Sequence, residues 1–305
     1  MIDWVRDLHH QGGSAFAVAA GRLIVHERRT RLVALDLADG AVLWDVPVGT
    51  WPRAVVVSGD RCLVIPQSAD RLLCLDIATG DTVWSADVAP FTGHVVCAAG
   101  AVLVGGWRRY TTLRAFDLAT GRLRWTSDTT SVRPGGTDRG FLVGEEGGTV
   151  VRLLDPHDGR ESARWAVPLP LTGDIRVEGG HVVARCGTSS LVEIGDPSRE
   201  IARVDGVLLD HEHVGGALWL RQRTGWVGVE EPGRTAPGVV AVGGDVLIAD
   251  LDDGVRRVDA EGRTVGRVRM PTRRIRRLVA VDRERFLVVG KGNVIIARSG
   301  DVRRG

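Results

Sequence analysis

The stretch LVALDLADGAVLW, residues 32–44, returns three more times along the chain. The copies are LLCLDIATGDTVW at 72–84, LRAFDLATGRLRW at 113–125 and LLDPHDGRESARW at 153–165. In each copy an apolar run leads to an Asp, a short polar turn is closed by Gly, and a second run ends in Trp. An Asp carboxylate accepts backbone N–H groups in a turn, and Gly adopts the positive φ of a tight hairpin. Each copy therefore predicts a β-hairpin.

The tryptophans recur with nearly constant spacing. Trp4, Trp44, Trp84, Trp125 and Trp165 follow one another at intervals of 40, 40, 41 and 40 residues. A second hairpin precedes each of the quoted ones, so every unit of about 40 residues contains four short strands, the pattern of a propeller blade. Patterns with the period of a helix are absent.

Eight hairpin turns divide the chain. Seven contain a glycine, and the eighth is the degenerate turn Asp196-Pro197-Ser198-Arg199. We therefore predict an all-β fold, an eight-bladed β-propeller of four-stranded antiparallel blades that forms a single domain over residues 1–305. The turn glycines are Gly40, Gly80, Gly121, Gly159, Gly233, Gly262 and Gly300.

The two ends of the chain complement each other. Only four residues follow the last turn, Ser299-Gly300-Asp301, so the last blade (about 272–305) lacks an outer strand. Trp4 lies one period before Trp44, in a strand with no blade ahead of it. We predict that residues 2–8 complete the last blade and close the ring, which removes an edge that would otherwise favour aggregation.

The motif Asp-x-x-(Thr/Asp)-Gly-x-x-x-Trp, carried by LDLADGAVLW, LDIATGDTVW and FDLATGRLRW, resembles the repeat of the PQQ-like (quinoprotein-type) propeller family. The resemblance is strong over residues 30–170 and at Trp4. It implies that the repeated Trp is structural and docks between adjacent blades, and we carry this role to the periodic tryptophans: Trp4, Trp44, Trp84, Trp125 and Trp165.

The same resemblance bears on cofactors. Quinoprotein dehydrogenases of this type have longer chains, a vicinal cysteine pair, a calcium site and a secretion signal, whereas Cys62, Cys74, Cys97 and Cys186 are not adjacent. Outer-membrane assembly lipoproteins of the family share eight blades but need a signal peptide and a lipidated cysteine. We therefore expect no cofactor and no quinone, and the resemblance implies use as a sensor or scaffold.

Charge and hydropathy restrict the partners further. The net charge is +2, without the basic excess of a general nucleic-acid binder. No apolar run is long enough for a membrane span, and the first residues lack a basic n-region and a long apolar segment. We expect a cytoplasmic protein that has a protein or peptide partner and acts on neither membrane nor nucleic acid.

Ligands of propellers usually lie on the face that carries the connections between blades and the loops between second and third strands. In this sequence that face is rich in arginine, aromatic residues and histidine, a composition typical of a protein interface. Phe91 and Asp174 fall in the same connections. We predict a non-catalytic scaffold that binds a protein, a peptide or an anionic ligand there, and the candidate binding residues are Trp51, Arg53, His94, Trp107, Arg108, Tyr110, Arg133, His211, His213, Arg274 and Arg276.

An enzymatic alternative rests on the histidines. His211 and His213 are two apart, so on a strand they lie on the same side. With His94 they could act as acid/base groups of a hydrolase or lyase, or as metal ligands. We expect no metal; if one is bound, His211 and His213 are the candidates.

Two further expectations separate structure from binding. Arginines flank Ile275 on both sides, and if Ile275 points inward they face solvent, where they could hold a carboxylate or phosphate. Trp51 and Trp107 break the tryptophan period and lie in loops of the candidate face. We expect that replacing Trp107 weakens partner binding and leaves stability nearly unchanged.

Overall fold

The structure is a computed structural model of the 305-residue chain. It describes residues 2–8, 15–27, 30–49, 52–67, 69–106, 111–178, 180–214, 217–223, 225–228, 238–250, 253–259 and 263–302. These residues form eight antiparallel sheets that follow one another along the chain. The fold class is the eight-bladed β-propeller, as predicted. The chain has two compact units, residues 46–206 (unit 2) and residues 1–45 with 207–305 (unit 1); the single domain over 1–305 stays a prediction.

Unit 2 contains four four-stranded sheets, each in simple up-and-down order from the innermost to the outermost strand. Strands β6 to β9 are Ala54–Ser58, Arg61–Ile65, Arg71–Asp76 and Thr82–Asp87; β10 to β13 are Thr92–Ala98, Ala101–Gly106, Arg114–Asp117 and Leu123–Thr126; β14 to β17 are Gly135–Thr137, Gly140–Val143, Val150–Leu154 and Glu161–Ala166; β18 to β21 are Leu171–Glu178, His181–Cys186, Ser190–Ile194 and Arg199–Arg203.

Unit 1 contains the other four sheets, and β5 runs across the division at residue 45. Its sheets are β2-β3-β4-β5, β22-β23-β24, β25-β26-β27-β28 and β29-β30-β31-β1; the second has three strands within the part of the chain that the structure describes. The strands are β1 Ile2–Asp7, β2 Phe16–Ala19, β3 Arg22–Glu27, β4 Arg31–Asp36, β5 Val42–Pro47, β22 Asp210–Val214, β23 Ala217–Gln222, β24 Gly225–Gly228, β25 Gly238–Val242, β26 Asp245–Ala249, β27 Gly254–Val258, β28 Thr264–Arg269, β29 Ile275–Ala280, β30 Arg285–Gly290 and β31 Asn293–Arg298.

The N-terminal strand completes the last blade. Strand β1 pairs antiparallel with β31, with Trp4 opposite Ile296 and Asp7 opposite Asn293. Arg298 donates a hydrogen bond to Asp3 at 2.9 Å, and Arg6 forms an ion pair with the buried Glu27 of β3 at 2.8 Å. The prediction that residues 2–8 pair with the strand around Asn293–Arg298 is confirmed.

Three of the periodic tryptophans, Trp4, Trp84 and Trp125, dock on the hairpin turn of the following blade. In unit 2, Trp84 donates its Nε1–H to Leu118 O at 2.9 Å, and Trp125 donates to Pro156 O at 3.3 Å. A Cβ at the turn glycine would lie 2.6 Å from the indole at Gly121. Glycine is therefore required twice, for its positive φ (+71° at Gly121) and for the space that the ring occupies.

The same socket recurs in unit 1, where Trp4 donates to Leu37 O at 3.1 Å and covers Gly40. Trp44 is buried as well, whereas Trp165 is half-buried. The docking role implied for the periodic tryptophans is thus seen in its geometry at Trp4, Trp84 and Trp125.

Aliphatic side chains fill the space between sheets. In unit 2, Leu63, Cys74, Val102 and Phe116 belong to one buried cluster that also contains Trp84. Burial raises the pKa of the Cys62 thiol to about 12, so this cysteine is an inert core residue. Among the described residues no helix is long and apolar enough to cross a membrane, and their one helical segment is the three-residue turn Ser299–Asp301.

Candidate functional site

Three innermost strands of unit 2 approach one another closely because β14 begins with two glycines. A Cβ on Gly135 would lie 2.8 Å from Ile175 O of β18, and one on Gly136 would lie 2.6 Å from Cys97 O of β10. Ile175 also donates its backbone N–H to Arg133 O at 3.0 Å. The sequence Arg133-Pro134-Gly135-Gly136 therefore brings β14 against the innermost strands β10 and β18.

Bulges redirect the side chains at two of these strand starts. The β10–β11 register shifts between Thr92 and His94, and the β18–β19 register shifts between Leu171 and Ile175. Bulges commonly aim a side chain out of the regular ladder. The two bulges contain matching sequences, Thr-Gly-His at 92–94 and Thr-Gly-Asp at 172–174, two repeat lengths apart. From this match, the sequence alone could have shown that Asp174 occupies the position in its repeat that His94 occupies two repeats earlier.

Asp174 is a buried carboxylate, 4% exposed, held by two arginines. Arg176 Nη2 and Arg185 Nε lie 2.6 and 2.8 Å from its oxygens. Burial raises the pKa of Asp174, but the two guanidinium groups outweigh that effect and hold it well below its usual range. Gly173 leaves room for Arg185, since a Cβ there would overlap the guanidinium group. Both oxygens of Asp174 are thus occupied by arginines of unit 2. The sequence analysis did not identify Arg176 or Arg185 as site residues.

His94 lies near enough to Asp174 and to Arg133 for both charges to act on its pKa. Burial lowers the pKa of His94 to about 4; the positive charge of Arg133 lowers it further and outweighs the opposing effect of Asp174. The imidazole is therefore neutral at physiological pH and presents one donor and one acceptor nitrogen. Its ring makes no hydrogen bond with the part of the chain that the structure describes.

An arginine–phenylalanine pair adjoins His94 along the chain. Phe91 has a positive φ of 64° and its side chain is 54% exposed, a combination that is unusual for a bulky residue. The Arg53 guanidinium lies 5.8 Å from the ring centroid, a cation–π distance, and donates to Thr92 O at 3.1 Å. An exposed aromatic ring with a cation over it is typical of an interaction site.

Arg133 differs from the other arginines near Asp174. Its side chain is exposed, and it forms no ion pair or hydrogen bond within the described ranges. We call the surface formed by Arg53, Phe91, His94, Arg133 and Asp174 the connection face of unit 2. Arg53, His94 and Arg133 were predicted from sequence to lie on one face, and the structure places all three at the starts of consecutive innermost strands, β6, β10 and β14.

Two further predicted arginines lie in unit 1. Arg274 and Arg276 are exposed on either side of Ile275, which is 1% exposed, as expected for an inward-pointing isoleucine. The next residue, Arg277, lies 5.5 Å from the ring centroid of Phe16. Unit 1 therefore carries its own arginine–phenylalanine pair on innermost strands, β29 and β2.

The predicted histidine pair lies on β22 of unit 1. His211 is fully buried, whereas His213 is exposed. The two share one side of the strand, but His213 lies one residue pair from the end of the β22–β23 ladder, where solvent reaches it. No group of three or more His, Cys, Asp or Glu side chains suited to a metal ion occurs within the described ranges.

Four predicted site residues lie outside the described residues: Trp51, Trp107, Arg108 and Tyr110. Their roles stay predictions. Two acidic side chains that follow second strands, Glu145 after β15 and Asp250 after β26, are paired within their own unit. Glu145 lies 3.4 Å from Arg152, and Asp250 lies 2.5 Å from Arg256.

Eight up-and-down blades with tryptophan-on-glycine sockets define a PQQ-like propeller. The family model described as outer membrane protein assembly factor BamB matches residues 3–111 and 109–254, and the chain belongs to this family. The crystal structure of BamB from Moraxella catarrhalis is 19% identical over 94% of this chain and 85% of that chain, with a TM-score of 0.51. The computationally designed protein Ika8 is 15% identical over 96% of this chain and 98% of that chain, with a TM-score of 0.70. Such identities show the fold alone, and no curated protein gave a match.

Proposed function

We propose that this chain is a non-catalytic scaffold propeller that binds a protein or peptide partner on the connection face of unit 2. The observation that carries the proposal is Phe91, an exposed aromatic residue at positive φ with Arg53 over its ring. A bulky residue in that backbone region costs free energy, and such strain is typical of binding sites.

The charges of the connection face favour binding of a partner, because they are not all neutralised by ion pairs within the chain. Arg133 is exposed and has no ionic partner among the described residues, whereas Asp174 is fully engaged by its own arginines. An arginine beside an aromatic ring is the composition of interface hot spots. The family name, an assembly factor, supports a protein partner, because assembly factors act by binding proteins.

The enzymatic alternative gains no support from His94. A general acid or base works best when its pKa lies near the operating pH. The pKa of His94 is lowered to about 4, so its ring is neutral near pH 7 and does not titrate there. We therefore keep the binding role as the proposed function.

Site-specific photo-cross-linking tests the proposal. A photoreactive phenylalanine analogue replaces Phe91 in one variant and Leu123 in a matched control. Both side chains are 54% exposed, but Leu123 lies on the outer strand β13. We expect a discrete cross-linked protein at position 91, with at least about a tenfold lower yield at position 123, and the purified partner should bind Phe91→Ser more weakly than Leu123→Ser. Equal yields at both positions, or none at position 91, would exclude the connection face.

A further inference from the structure

The connection face of unit 2 has more positive charge than its own acidic groups can neutralise. Its one buried carboxylate, Asp174, is shared by Arg176 and Arg185. Arg133 is left exposed with no ion pair in the described part of the chain. Arg53 engages a carbonyl oxygen and the Phe91 ring rather than a carboxylate.

The lowered pKa of His94 agrees with this excess of positive charge. Of the two charged groups that act on the pKa of His94, Arg133 has a larger effect than Asp174. A neutral imidazole can still donate one hydrogen bond. An incoming carboxylate would meet the guanidinium group of Arg133, which precedes β14, and the imidazole donor of His94 on the adjacent innermost strand β10.

We infer that Arg133 and His94 form a carboxylate subsite, and that the partner of the connection face is an acidic peptide segment with an apolar residue beside its carboxylates. This inference rests on the proposed function and names the chemistry of its partner. Charge complementarity selects the acidic residues, and the exposed ring of Phe91 selects the apolar one.

Side-chain carboxylates suit this surface better than a chain terminus. Arg53 precedes β6 and Arg133 precedes β14, and the innermost strand β10 lies between these two strands. The surface therefore offers two separate guanidinium groups. A single terminal carboxylate would engage one of them. A segment with acidic side chains on both sides of an apolar residue can engage both.

Fluorescence anisotropy with the full-length protein tests the inference. The probe is a fluorescein-labelled peptide with blocked termini and two glutamates flanking a phenylalanine. Its isostere has glutamine for glutamate, and a third peptide has glutamines and a free C-terminal carboxylate. We expect the acidic peptide to bind at least about tenfold more tightly than the glutamine peptide, the loss typical of a removed charge-assisted hydrogen bond.

The chain offers a matched control for Arg133. Arg139 is also exposed and lies on the same blade, at the β14–β15 hairpin end of the strands. We expect Arg133→Gln to lower affinity for the acidic peptide about tenfold, while Arg139→Gln changes it less than about twofold. His94→Asp, which places a negative charge opposite the peptide's carboxylates, should lower affinity at least as much as Arg133→Gln, and circular dichroism should show all three variants folded.

Three results would overturn the inference: no saturable binding of the acidic peptide, equal losses for Arg133→Gln and Arg139→Gln, or tighter binding of the peptide with the free C-terminal carboxylate. If position 91 cross-links a partner but the acidic peptide does not bind, the proposed function stands and the carboxylate subsite fails. If the acidic peptide binds through Arg133 but position 91 captures nothing, the subsite stands and the protein-scaffold role fails.

Discussion

The first blades of unit 2 are joined to one another by tryptophans, whereas the last two blades of unit 1 are joined to each other by aliphatic packing. In unit 2, Trp84 and Trp125 each cover the turn glycine of the next blade and donate to a turn carbonyl. Residues 238–302 contain no tryptophan, and their sheets share a buried cluster that includes Met270, Phe286 and Val302.

Ion pairs also occur on the surface of those last blades, as they do in unit 2. Asp250 is paired with Arg256 and Arg267, and Asp253 is paired with Arg269. Exposed ion pairs contribute little to stability, whereas a buried indole contributes much. The comparison teaches that packing of aliphatic side chains suffices to form a blade, while the tryptophan adds a specific contact between neighbouring blades.

The largest effect is expected where a tryptophan socket and a strand are lost together. Removal of residues 1–8 takes away β1, the Trp4 socket and the Arg6–Glu27 pair. Trp4 alone is worth about 3–5 kcal/mol, against a total stability of about 5–15 kcal/mol for a domain. We expect the truncated chain to aggregate through the exposed edge of β31, measured by size-exclusion chromatography.

The control for this truncation is Val5→Ser, since the Val5 side chain on the same strand is exposed. We expect that variant to remain soluble with a nearly unchanged melting temperature. A truncated chain as soluble and heat-stable as the full chain would contradict the closing role of β1.

The second effect measures the socket of unit 2 directly. Trp84→Ala removes the buried indole and its bond to Leu118 O, and should cost about 3–5 kcal/mol in the free energy of unfolding. Trp165→Ala should cost clearly less, because Trp165 is only half-buried. Chemical denaturation of both variants checks the order; equal losses would show that burial in the socket is not what matters.

These tryptophans show how far the sequence leads. Their period predicted the blades, the orphan Trp4 predicted the β1–β31 pairing, and Asp-to-Gly turns predicted the hairpins. The sequence could not pair Asp174 with Arg176 and Arg185, because those contacts depend on a bulge in β18 and on the space left by Gly173. Nor could it separate buried His211 from exposed His213, since strand periodicity gives the side of a strand but not the depth.

A third, smaller effect separates glycine strain from indole contact. Gly100 and Gly121 both have a φ of +71°, but a Cβ at Gly100 meets nothing within 4 Å, whereas one at Gly121 lies 2.6 Å from Trp84. Gly100→Ala should cost about 1–2 kcal/mol from the left-handed backbone alone. Gly121→Ala should cost more, because the indole must also move, and the difference measures the socket. Equal costs would place the whole effect in the backbone.

The smallest effect concerns the turn that receives Trp84. Arg124 and Thr120 donate hydrogen bonds to Asp117 and lower its pKa from 3.8 to about 2. Because the folded state favours the ionised form, this stabilisation is full above pH 4 and is lost as the pH falls towards 2. Urea denaturation should show a smaller loss of stability between pH 5 and pH 2 for Asp117→Asn than for the unchanged chain. Identical losses would remove Asp117 from the acid response.

The binding role of the connection face is tested most directly by hydrogen exchange of the chain with and without the partner that cross-links to position 91. We expect slower amide exchange on partner binding at residues 91–98 and 132–137, which carry Phe91, His94 and Arg133. The hairpin turns at 117–122 and 155–160, which form the tryptophan sockets at the other end of the strands, should exchange at unchanged rates. Slower exchange confined to those hairpin turns would contradict the account.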